Sequence, residues 1–186
     1  MDLKRPSSES ELKAIQKSAY GLACKSKYDE ALAICNWLIE EKSTEVAGYR
    51  ERAAVKEHMG DIEGAILDLQ AAVSRFDKEP ADFHALGLLL LQNGSTIDAI
   101  AAFSNAITLG ENSGNHYYTN SSLIFRADAY LKRADYVEAL ADAEHLPLGY
   151  QAHISGSGMR SKEQISVEAS AALARKAKQR TKGYGP

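Results

Sequence analysis

Apolar residues recur at helical spacing along most of this chain, with polar residues filling the intervals between them. Leu22, Ile39, Leu69, Val73, Leu90, Phe103, Ile107 and Tyr130 fall on such stripes and are the expected interior. A longer period overlies the short one. It is marked by Tyr28-Asp-Glu-Ala31-Leu32, Gly60-Asp-Ile-Glu-Gly-Ala65-Ile66, Gly94-Ser-Thr-Ile-Asp-Ala99-Ile100 and Tyr136-Val-Glu-Ala139-Leu140. The alanines in these segments are 34, 34 and 40 residues apart. A period of 34 is that of a helix-turn-helix unit that buries its apolar face against the next unit.

Each alanine has a small counterpart about twelve residues upstream: Ala19, Ala53, Gly87 and Ala127. Small side chains on both helices of a pair let their axes approach closely, and bulkier ones would push them apart. Two capping boxes support the register, Ser8-Glu-Ser-Glu11 before the first helix and Ser161-Lys-Glu-Gln164 before a last one. Pro80 suits the first turn of the fifth helix. Gly110 to Thr119 holds six extra residues, predicted to lengthen a loop and the helix after it. After His145-Leu-Pro147 the pattern breaks. A flexible loop is expected through Gly158, followed by a helix whose Ile165, Ala169, Ala172 and Leu173 cover the end of the stack. No strands are expected.

On these residues the chain resembles the tetratricopeptide repeat (TPR) family. The third unit matches best, with Phe83, Leu86, Gly87, Leu90, Ala99, Phe103 and Ala106 at signature positions. Units one and two depart from the pattern at Ile15 and Ser18 and at Arg52 and Lys56. The resemblance implies an all-α, right-handed superhelical solenoid of about four helix pairs plus a C-terminal capping helix. The pairs span 12–45, 46–79, 80–113 and 120–153 within residues 1–153. Residues 154–186 supply the loop, the capping helix and a flexible tail.

The resemblance further implies that the first helix of every unit lines a concave groove. The matching positions are Gln16, Tyr20, Arg50, Glu57, His58, His84, Leu88, Leu91, Gln92, Ile124, Asp128, Leu131 and Lys132. Leu88, Leu91, Ile124 and Leu131 form an apolar centre with polar flanks, suited to a helix or an extended peptide, the alternative being that the C-terminal segment folds back and buries them. His116, Tyr117 and Tyr118, at the end of the insertion, are candidate partner contacts or a staple at a helix start. The family's carboxylate clamp would need a Lys and an Asn, then an Asn, then a Lys and an Arg where Gln16, Tyr20, Glu51, Ala81 and Ala85 stand, and with no cluster of cations left that use is disfavoured.

Composition narrows the function. No run reaches the roughly 18 to 20 apolar residues that span a bilayer, and the start lacks the apolar core of a secretory signal. A cytoplasmic chain that does not bind membranes is expected. Cys24 and Cys35 are read as reduced packing residues. The net charge is −3, and Met159 to Lys182 alone carries seven Arg or Lys against two Glu. The rest is therefore acidic, which argues against nucleic-acid binding while leaving the basic last helix able to steer a partner.

Five histidines show no ligand spacing, so no metal or other cofactor is expected. Glu57, His58 and Asp128 are the one acid-base grouping for a hydrolase or other enzyme, and groove polarity is the preferred reading of them. Gly156-Ser-Gly158-Met-Arg160-Ser161-Lys162 resembles a phosphate cradle but follows no strand. The expected function is therefore non-enzymatic binding of another protein or peptide, with self-association left open. An adaptor, a secretion chaperone and a bacterial immunity protein that neutralises a cognate toxin are the candidate roles. The stretch from Glu144 through Ile165 resembles bacterial repeat proteins.

Overall fold

The structure is a computed structural model that describes residues 6–75, 78–114 and 116–182, with side chains described as far as Gln179. The expected mobile tail Gly183-Tyr-Gly-Pro186 lies outside the described residues, as do the side chains of Arg180 and Lys182. The chain forms two compact units, Met1–Ser95 and Thr96–Pro186.

The first unit holds α1 (Glu9–Ala23), α2 (Tyr28–Glu40), α3 (Glu45–Met59), α4 (Ile62–Arg75) and α5 (Pro80–Gln92). Each packs on the next in chain order, and α1 also touches α3. Ser8 caps α1 by accepting the Glu11 amide at 3.2 Å, while the Glu11 carboxylate reaches back to accept the Ser7 amide at 2.6 Å. Pro80 opens α5 as expected. Ala19, Ala23, Ala31, Ile34, Cys35, Leu38 and Val55 form one buried cluster, so the small residues do sit where the helices meet. Gly48 marks a close approach of α3 to α2. A Cβ there would lie 2.7 Å from the Ile39 nitrogen and 3.0 Å from the Cys35 carbonyl oxygen, which only a glycine permits.

The second unit holds α6 (Thr96–Ser113), α7 (His116–Arg133), α8 (Tyr136–His145), β1 (Gln151–Ile154), β2 (Gly158–Ser161) and α9 (Lys162–Lys182). The six-residue insertion lengthens α6 and α7 to 18 residues each, with Gly114 turning between them at φ +71°. It adds helix at both ends, where a longer loop was also expected. A helix satisfies its own backbone polar groups, which a loop of equal length would leave to water. Ile165 and Ala169 of α9 are fully buried against Ile124, Ala127, Ala139, Ala143 and Leu146, so the last helix caps the unit as anticipated. Its start carries a complete capping box, with the Gln164 amide donating to Ser161 Oγ at 3.2 Å and the Ser161 amide to Gln164 Oε1 at 3.0 Å.

The expected flexible loop before α9 is instead an antiparallel hairpin, pairing Gln151 with Ser161 and Ile154 with Gly158. Gly156 and Gly158, at φ +78° and +73°, make the tight reversal that the sequence suggested only as looseness. Ile154, 2% exposed, anchors the hairpin in the unit.

One device recurs in both units. Arg52 lies thirteen residues before Ala65, and Arg126 thirteen before Ala139. Arg52 donates through Nε and Nη2 to both oxygens of Asp68, at 2.9 and 2.6 Å, and through Nη1 to Asn36 at 2.7 Å. Arg126 repeats this with Asp142, at 2.8 and 2.6 Å, and with Ser104 at 2.7 Å. Each guanidinium thus ties the two helices of its own pair to the second helix of the pair before. Asp68 and Asp142 are buried, and the two-toothed geometry satisfies them.

Candidate functional site

The groove positions do not share one environment. In the first unit Tyr20 is 51% exposed, and Glu57, His58 and Gln92 are also open to solvent. With Ala54 they line a cavity of about 420 Å³. The His58 ring is set between two phenols, its centroid 6.4 Å from Tyr20 and 6.3 Å from Tyr28. The Tyr20 hydroxyl lies above its ordinary range, first through its hydrogen bond and charge interaction with Cys24, then through desolvation and the Glu57 carboxylate.

The remaining first-unit positions are committed to the fold. Arg50 donates to both oxygens of buried Asp82, at 2.7 and 2.6 Å, which ties α3 to α5. Gln16 donates to Glu51 at 3.1 Å, and desolvation holds the Glu51 carboxyl above its usual range. His84 is 9% exposed, and burial lowers it to about 4. It is a neutral interior histidine rather than a surface group. Leu88 and Leu91 are half-buried.

The second-unit positions depart furthest from expectation. Ile124 is fully buried in the core under α9, and Asp128 is 3% exposed. The hairpin covers Asp128: Ser157 donates to Oδ2 at 2.8 Å, and Arg160 Nε lies 3.0 Å from Oδ1 as an ion pair without hydrogen-bond alignment. Lys132 Nζ sits 2.9 Å from Oδ2 on the outer side. Leu131 packs half-buried against the same core. The apolar centre predicted from Ile124 and Leu131 is therefore interior, because the chain's own C-terminal segment occupies that face of α7. Sequence reasoning missed Ser157 and Arg160 as partners of Asp128. The signal available was Arg160 two residues after the Gly156 and Gly158 pair.

The insertion residues stand at the start of α7. His116 and Tyr117 are exposed, Tyr118 is half-buried, and the two tyrosine rings meet edge to face at 5.1 Å.

Asp128, needed for the acid-base grouping with Glu57 and His58, is engaged by Arg160, Ser157 and Lys132. The phosphate cradle is contradicted: Arg160 forks onto Glu168 at 2.8 and 2.7 Å, and Lys162 donates to the Glu144 and Leu146 carbonyls. Both cations are thus spent on protein acceptors. Cys35 is buried and its thiol is pushed up to about 12, first by that burial, whereas Cys24 is exposed and so is not the packing residue anticipated. Among the described residues no three His, Cys, Asp or Glu side chains group around a common metal position. No helix among them is long and apolar enough to cross a membrane.

No family model matches the chain, and no curated protein matches it in sequence. Solved structures do match it in shape. The kinesin light chain TPR-like repeats of Podosopora anserina align with a TM-score of 0.64 at 14% identity, covering 95% of this chain and 93% of that one. MamA aligns at 0.59 and 15% identity over 72% of this chain and 69% of its own. BtubC (BKLC) from P. vanneervenii aligns at 0.51 and 16% identity over 94% and 80%. With these neighbours beside the paired helices and their repeat of 34, the chain has the fold of the tetratricopeptide-repeat proteins.

Proposed function

We propose that this chain is a non-enzymatic interaction module that binds a protein or peptide partner through the open face of α1 and α3. The observation that carries the reading is the contrast between two sets of equivalent positions. On α7 they are covered by the chain's own hairpin, whereas around Tyr20, Ala54, Glu57, His58 and Gln92 they surround an open cavity. A partly aromatic concavity with a few polar groups is the usual makeup of a recognition site.

An adaptor, a secretion chaperone and an immunity protein would use such a face in the same way and differ in what they hold. The test is capture from the lysate of the source organism with the wild-type chain and with Gln92→Trp, which fills the cavity from an exposed position. A stoichiometric protein recovered by the first and lost by the second supports the reading; equal recovery, or none, contradicts it. If the captured protein is a toxin, co-expression of this chain should restore growth in the immunity role.

A further inference from the structure

We infer that the cavity between α1 and α3 takes a cationic side chain, arginine or lysine, from a peptide segment of the partner. This rests on the binding reading above and names the chemistry of the same site. The lining supplies one carboxylate, Glu57, one exposed phenol, Tyr20, the His58 ring, and the Gln92 amide, with no lysine or arginine among them. The Glu57 carboxylate enters no ion pair or hydrogen bond among the described residues, so its charge is available. The neighbouring basic side chains on α3 are already held elsewhere, Arg50 by Asp82 and Lys56 by Asp68 at 2.8 Å. Neither offsets Glu57.

A cation gains twice in such a place. It meets an opposite charge, and it can lie against the electron-rich face of a phenol. An anionic side chain is repelled by Glu57 and meets no lysine or arginine in the lining. The tilted contacts of His58 with Tyr20 and Tyr28 hold the aromatic wall in place before binding, which lowers the ordering cost. The second unit supplies an internal precedent. There the α7 face presents Asp128, and what the chain sets over it is Arg160 from the hairpin, with Lys132 beside it. A carboxylate on a first-helix face held by a cation from a separate segment is thus already realised in this molecule.

The test is an NMR titration of the isotopically labelled full chain with three probes: N-acetylarginine methylamide, N-acetyllysine methylamide and N-acetylglutamate methylamide. The two cationic probes should move the Tyr20 and His58 ring signals and the Ala54 methyl signal saturably, and the glutamate probe should leave them in place. Glu57→Gln should weaken the arginine probe about fivefold. Tyr20→Leu should weaken it about threefold, with Tyr20→Phe close to wild type. Both positions are solvent-facing, and circular dichroism checks that helicity is kept.

Shifts with the glutamate probe, no shifts with either cation, or an unchanged affinity in Glu57→Gln would each overturn the inference. The captured partner separates the two levels. Partner lost by Gln92→Trp but kept by Glu57→Gln retains the binding face and rejects the cation. Partner kept by both rejects the binding face itself.

Discussion

Arg52 and Arg126 are fasteners of this repeat fold, each gripping a buried aspartate on the next helix. Arg52 stood out in the sequence as a charge at an ordinarily apolar position, yet nothing local pointed to Asp68 sixteen residues on, or to Asn36 sixteen back. Only the packed helices bring the three together. Replacing Asp142 with Asn should destabilise the chain by about 2 kcal/mol, because Arg126 loses a partner inside the fold. The double change Arg126→Met with Asp142→Leu should recover most of that loss, which chemical denaturation of the three variants would show. His84 was legible as a position but not as a state, since burial depends on tertiary neighbours. With its folded value lowered to about 4, the unfolded chain takes up a proton near pH 6.5 that the folded chain refuses. Stability from this group is therefore complete above about pH 6.5 and declines as pH falls toward 4, by up to about 3 kcal/mol. Urea midpoints for wild type and His84→Gln at pH 7 and pH 4.5 should show a steeper acid loss in the wild type; parallel losses would remove His84 as the cause.

At the scale of elements, the helices were readable and their corners only partly so. The turn within each pair carries one left-handed residue: Ser26, Gly60, Gly94 and Ala134, spaced 34, 34 and 40 like the alanines. Two glycines announced this geometry, whereas a serine and an alanine conceal it. Non-glycine residues are strained there, so Ala134→Gly should stabilise by roughly 0.5 kcal/mol, a gain partly offset by the entropy of the unfolded glycine. Calorimetry should record a small rise in Tm, and a fall would contradict the strain. Gly48 makes the opposite case. Alanine is the better helix former, but the added Cβ would press on the backbone of α2, so Gly48→Ala should cost about 1 to 2 kcal/mol net. A stabilised Gly48→Ala would disprove the close approach. The hairpin was the least legible element. Its strands are four residues each, too short for an alternation to register, and its order comes from Ile154, Ser157 and Arg160 reaching α7 and α9.

For the whole molecule, periodicity revealed the repeat, because packing paired helices imposes a constant spacing on the chain. It could not reveal which first-helix faces stay open, since that depends on where residues after the last pair fold back. The positions of Ile124 and Asp128 look in sequence like those of Tyr20 and Ala54, and only the coordinates separate the covered face from the open one. Binding through α1 and α3 depends on that separation. The most direct measurement is amide hydrogen exchange on the chain alone and with its captured partner. New protection should be confined to α1 and α3 around Tyr20, Ala54 and Glu57, with α7 and the hairpin unchanged. Protection gained along α7, or exchange accelerated in residues 151–161 as the hairpin is displaced, would contradict it.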